Sequence, residues 1–223
     1  MVPSEEYVVF FDDFMGPVAT NVPDGWTAAI IDTGCTATQA DQHGGIILLD
    51  SDANNEGVSF YGPKVIKLDG KKFFMEARFK IEDVSAQTVM FGLTDLAATT
   101  NPEDLWTSAS TYYLTVGHQD GGNTKFYYRD NAAETSDTFA NAGVVVDDTY
   151  VTMAFSYNGS GAAAAATCSG YVNGKWYVDT TAPGNIPKDV ELAPFFGFLG
   201  GTNAGAGTDD KVHLDYIRWS FER

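Results

Sequence analysis

Residues 72–83 read KFFMEARFKIED. The stretch alternates with period two: Phe73, Met75, Ala77, Phe79 and Ile81 fall on one side, and Phe74, Glu76, Arg78, Lys80 and Glu82 on the other. Successive side chains of a strand point to opposite faces, so the pattern specifies a half-buried β-strand with a charged outer side. That outer side poses a chemical question: whether Glu76 is the acid of a reaction or a partner in a sheet.

Comparable runs, rich in β-branched and aromatic residues, recur along the chain. They lie at Tyr7–Phe11, Thr27–Asp32, Gly45–Leu49, Val58–Tyr61, Lys64–Leu68, Thr88–Thr94 and Thr111–Val116. Others follow at Lys125–Arg129, Tyr150–Tyr157, Ser169–Val172, Lys175–Asp179, Pro194–Leu199 and Lys211–Phe221. Gly, Asn, Asp and Pro clusters separate them, which predicts an antiparallel sandwich. The sharpest local signal is GYVNGKWYVD at 170–179, because Asn-Gly supplies the two positive φ angles of a type I′ hairpin turn. Asn101–Trp106 predicts one helical turn capped by Asn101, whereas Asp130–Ala142 and Gly159–Thr167 read as loops.

The chain has 223 residues, 44% of them hydrophobic and 13% aromatic, without a linker or composition shift. A single domain over residues 1–223 is expected, since at this size about 70% of the unfolded surface can be buried. The formal net charge of −17 repels polyanions, which argues against nucleic acid and anionic membranes as partners. The opening MVPSEEYVVFFDD lacks a basic segment followed by an apolar core, and no apolar run reaches the ~20 residues of a membrane helix. Neither a secretory signal nor a transmembrane segment is expected. Cys35 and Cys168 have no metal-ligand spacing and read as two separate buried thiols, with a disulfide between them left open.

Four pieces together resemble the concanavalin A-like lectin/glucanase superfamily, in particular laminin-G-like jelly rolls: FFDDFMG with Trp26 following, FFMEARFKI at 73–81, GYVNGKWYV at 170–178, and LDYIRWSFER at 214–223. The resemblance implies an all-β domain of two antiparallel sheets, a jelly-roll sandwich with first and last strands close together. A narrower likeness runs through GVSFYGPKVIKLDGKKFFMEARFK, LTDLAATTNPEDLW, ELAPFFGF and LDYIRWSFER, and is to head decoration and minor capsid proteins of tailed bacteriophages. It implies a non-enzymatic structural protein on the capsid surface of a virion assembled in the host cytoplasm. Its partners would be the major capsid protein and neighbouring copies of itself, contacted through a possible N-terminal arm or strand at 1–12 that contains Tyr7, Val8, Val9 and Phe10.

Catalysis finds little support. Laminarinase-type members of the superfamily carry Glu-x-Asp-x-(x)-Glu on one strand, so that alternation brings the carboxylates to one face. Here Glu76 is followed at the next two outward positions by Arg78 and Lys80, a row better explained as charge pairing within a sheet. His43, His118 and His213 share no metal spacing, and no GxSxG elbow accompanies them. DSDANNEG at 50–57 alternates oxygen donors but lacks the glycine and the distal Glu of a calcium loop. No cofactor is required; the superfamily resemblance implies a possible structural calcium at Asp215, with Asp12 or Asp13 in its shell. The alternative function is carbohydrate binding, as an adhesin or lectin-like module for host glycans, with Trp106, Tyr113, Tyr128 and Trp176 as candidate stacking platforms.

Overall fold

The computed structural model describes residues 7–14, 25–31, 34–40, 45–51, 56–96, 112–119, 124–130, 135–138, 145–159, 166–179, 186–200 and 210–223. Its strands are β1 (Tyr7–Asp12), β2 (Thr27–Ile31), β3 (Thr36–Gln39), β4 (Ile47–Ser51), β5 (Gly57–Tyr61), β6 (Lys72–Ile81), β7 (Gln87–Thr94) and β8 (Tyr112–His118). They continue as β9 (Thr124–Asp130), β10 (Thr135–Thr138), β11 (Thr149–Asn158), β12 (Thr167–Val172), β13 (Lys175–Asp179), β14 (Ala193–Gly200) and β15 (Asp210–Glu222). Among the described residues no helix is long and apolar enough to cross a membrane.

The strands form two antiparallel sheets. One has eight strands, in the order β13-β12-β11-β6-β15-β4-β3, with β1 also paired to β15; the other has seven, in the order β10-β9-β8-β7-β14-β5-β2. The predicted alternation of β6 holds: Phe73, Met75, Ala77, Phe79 and Ile81 are buried in the space between the sheets. Phenylalanines fill that space, Phe79 against Phe196 (5.9 Å between ring centroids) and Phe155 against Phe126 (5.8 Å) across it, and Phe155 against Phe73 (5.6 Å) on the neighbouring strand. Each such ring contributes about 1.5–3 kcal/mol by leaving water.

The hairpin at 170–179 forms as its sequence requires, with φ of 47° at Asn173 and 87° at Gly174 joining β12 to β13. Two expectations change. Lys64–Leu68 makes no strand beyond a single bridge, Ile66 to Leu192, because only Ile66 and Leu68 turn inward while Val65 stays exposed. The polar stretch 130–142 contains β10, an edge strand held by backbone pairing to β9. Residues 7–12 form a strand that pairs with residues 217–222 of the same chain, Tyr7 opposite Glu222 and Phe10 opposite Trp219, so the first and last strands lie side by side as expected. Residues 101–106, 160–165 and 201–207 lie outside the described residues.

Candidate functional site

Register places the outward side chains of the eight-stranded sheet in rows. One row runs Phe11, Arg218, Glu76, Ala154, Tyr171 and Trp176 across β1, β15, β6, β11, β12 and β13. The next runs Val9, Ser220, Phe74, Ser156 and Ser169. Residues opposite one another in antiparallel strands share a face at close range, so these rows are physical neighbours. A bulge in β15 between Leu214 and Tyr216 shifts the register. Leu214 and Ile217 both remain in the core, which leaves Asp215 and Tyr216 together on the outer face.

That bulge supplies partners to β6. The Tyr216 hydroxyl donates to Glu76 Oε1 at 2.7 Å, and Arg218 grips the same carboxylate with Nη2 on Oε2 and Nε on Oε1, both at 2.9 Å. Arg78 pairs with Asp215 and lies 4.3 Å from the ring centre of Tyr150, and Lys80 reaches Asp148 at 3.3 Å. The Glu-x-Arg-x-Lys row is therefore a ladder of charge pairs. Glu76 is 7% exposed, with both oxygens engaged by a guanidinium fork. Its carboxylate is a structural anchor on this face, and one oxygen of the Asp215 carboxylate is engaged by Arg78 Nη1.

Burial, and then the hydrogen bond to Glu76 and the charge of that carboxylate, push the Tyr216 phenol up to about 12. Burial, followed by the neighbouring Cys168 and Asp69, does the same for Tyr157. In the unfolded chain both phenols ionise near their ordinary value of 10.0. A raised folded pKa means that the native state holds the proton more tightly, so the stability contributed is intact below pH 10 and lost as pH rises to about 12. The midpoint of urea unfolding is expected to fall across that window, with a smaller fall in Tyr216→Phe; a flat profile in the wild type overturns this.

Beside the ladder, a cleft of about 290 Å³ is lined by Tyr7, Lys72, Phe74, Ser156, Asn158 and Ser220. At the far edge of the sheet the Tyr171 and Trp176 rings lie 5.3 Å apart at 59°. Trp176 is 57% exposed, presenting an indole on a short hairpin.

The residues singled out from sequence do not converge on one place. Trp176 is on the outer face of the eight-stranded sheet. Tyr113 and Tyr128 belong to the other sheet and are buried, on opposite faces of it: Tyr128 in the main core, Tyr113 in a second cluster with Tyr61, Met90, Tyr127 and Phe195. Neither ring offers a face to a sugar, because both sides of that sheet are buried and alternation there does not separate core from solvent. Trp106 lies outside the described residues. Asp13 is exposed, while Asp215 faces Arg78; among the described residues no group of three or more His, Cys, Asp or Glu side chains gathers. Calcium takes six to eight oxygen ligands, and among the described residues the one carboxylate seen beside Arg78 is that of Asp215 itself. Phe10 turns inward onto Trp219, whereas Tyr7 and Val9 remain exposed and Val8 is half-buried. Cys35 and Cys168 are separate buried thiols. Sequence reasoning missed Ser156 and Ser220 as neighbours of Phe74, since cross-strand register alone brings them there, and it did not use Lys72, which alternation places on the same side of β6.

No family model matches the chain, and no curated protein does. Solved structures do match it. The Emp47p carbohydrate recognition domain superimposes with a TM-score of 0.65 at 14% identity, covering 97% of each chain. The metal-free form of lectin I-B4 from Griffonia simplicifolia gives 0.55 at 13% identity, over 96% of this chain and 99% of that one. A Bacillus licheniformis β-glucanase gives 0.56 at 16% identity, over 95% and 97%. With two antiparallel sheets in this order and these neighbours, the chain has the jelly-roll sandwich fold of the concanavalin A-like lectins and glucanases.

Proposed function

We propose that the protein binds carbohydrate and does not hydrolyse it. The observation that carries this reading is the exposed indole of Trp176, braced by Tyr171 and in register with the polar ladder of the same sheet. A flat aromatic face beside hydroxyls and charges suits the alternating C–H and O–H surface of a sugar ring. Two of the similar structures are, by their own names, a lectin and a carbohydrate recognition domain. Absence of hydrolysis is supported by Glu76 and Asp215, whose carboxylates are engaged by Arg218 and Arg78, whereas glycoside cleavage needs two carboxylates facing the bond. A glycan array probed with the purified chain is expected to retain a defined subset of oligosaccharides without releasing reducing ends. Trp176→Ala should weaken that retention by about tenfold, roughly 1.4 kcal/mol, while a surface change of this kind alters stability by no more than about 0.5 kcal/mol. Folded protein that retains no glycan at all would overturn the proposal.

A second reading, a decoration subunit on a bacteriophage head, is supported by one structural feature. Tyr7, Val9 and Phe11 of β1 are 43%, 73% and 57% exposed, an apolar row suited to a neighbouring subunit or the shell. Mass spectrometry of purified virus particles tests it. A simple-fraction copy number relative to the main shell protein supports this reading, and absence from particles removes it.

A further inference from the structure

We infer that the cleft between β1, β15, β6 and β11 is a subsite for a sugar ring bearing one anionic group, with Lys72 as its counter-ion. This rests on the carbohydrate-binding reading and specifies which carbohydrate. The floor is Phe74, whose cross-strand neighbours on either side are Ser220 and Ser156. Neither serine hydroxyl has a protein partner among the described residues, so two donor-acceptor groups flank an aromatic face with their hydrogen bonds to give. The Arg218 guanidinium, held on Glu76, lies 5.6 Å from the Phe74 ring centre, so a sugar ring entering the cleft meets the phenyl beside Arg218 with its C–H face and the serines with its edge hydroxyls.

The charge argument selects the ligand class. Other cations of this face are committed: Arg218 to Glu76, Arg78 to Asp215, Lys80 to Asp148, and the Lys71 ammonium to the Arg223 carbonyl. The Lys72 ammonium has no such partner among the described residues. Glu222 lies across from it, but that carboxylate accepts from the Lys72 backbone N–H at 3.0 Å. Lys72 lines the cleft of a chain whose net charge is −17. An anionic ligand is repelled by most of this surface and is drawn to the place where a cation is free. The volume, about 290 Å³, is at the lower end of the ~300–1,000 Å³ typical of small-molecule pockets, so it takes a short unit and not a long chain.

The test is calorimetric titration of the full chain with three probes: an oligogalacturonate, its carboxyl-reduced neutral counterpart, and a sulfated galactan oligosaccharide. The wild type is expected to prefer an anionic probe over the neutral one by about tenfold or more, as a hydrogen bond to a charged group provides. In Lys72→Gln that ratio should collapse toward one, and Ser156→Ala with Ser220→Ala should weaken binding of the anionic probe. Lys72 is exposed, and an unchanged melting temperature confirms that the variant is folded. Preference for the sulfated probe alone supports the site and identifies the anion as a sulfate ester. Equal binding of neutral and anionic probes, or a preference that survives Lys72→Gln, overturns the subsite while leaving carbohydrate binding standing. Failure of every probe together with an empty glycan array removes both.

Discussion

Gly92→Ala is expected to destabilise the protein by more than about 4 kcal/mol, the range in which a single substitution has a specific steric cause. Gly92 sits in β7, between β8 and β14, aligned with Thr115 on one side and Phe195 on the other. A Cβ placed on it would stand 2.3 Å from the Leu114 carbonyl oxygen and 2.7 Å from the Thr115 Cα. Those are backbone atoms of a paired strand, so no rotamer change relieves the contact and β8 itself must move. The φ of +152° adds strain for any residue with a side chain. Gly70 provides the control, with φ of +67° and nothing within 4 Å of its Cβ position. Gly70→Ala should cost only the positive-φ penalty, about 1–2 kcal/mol. Urea unfolding of the two variants separates clash from strain, and equal losses would show that the close approach of β7 to β8 is not what Gly92 serves.

The fold was legible wherever local chemistry decided it. Alternation in 72–81 and the Asn-Gly turn at 173–174 each require no distant partner, and each forms as expected. The bulge in β15 was also within reach. The apolar phase of LDYIRW slips between Leu214 and Ile217, a gap of three where strict alternation demands an even spacing. What period-two patterning cannot deliver is the partner. Glu76 falls on the outer side as read, yet it is buried there because Tyr216 and Arg218, 140 and 142 residues away, close over it. Tyr113 and Tyr128 mislead for a related reason: a sheet covered on both faces has no solvent side for alternation to reveal. The cleft around Phe74 is the same case, since its hydroxyls come from β11 and β15 and its ammonium from β6.

Trp219→Ala should cost about 3–5 kcal/mol, the usual loss for an aromatic ring cut from a packed site, and the damage should centre on β1. Trp219 is 6% exposed, stacks on Phe10 at 3.8 Å and meets the edge of Trp26 at 5.5 Å. Trp26 is in turn tied to β1, its indole N–H donating to Asp12 Oδ2 at 2.8 Å, while Asp12 Oδ1 accepts from the Phe14 amide at 2.8 Å. The indole of Trp219 thus clamps the first strand to the last, and the clamp has a functional reach because Tyr7 of β1 forms one wall of the cleft. Removing the ring leaves a cavity under β1 and weakens its inward anchor, while the β15 to β6 pairing on the other side retains its own contacts. Amide exchange should therefore accelerate first in β1 and in β15 residues 217–222, ahead of β11. Trp219→Phe, which keeps a ring to stack on Phe10, should recover part of the loss. Uniform acceleration across both sheets would instead show that β1 and the core open as one unit, and the cleft would then be only as stable as the whole molecule.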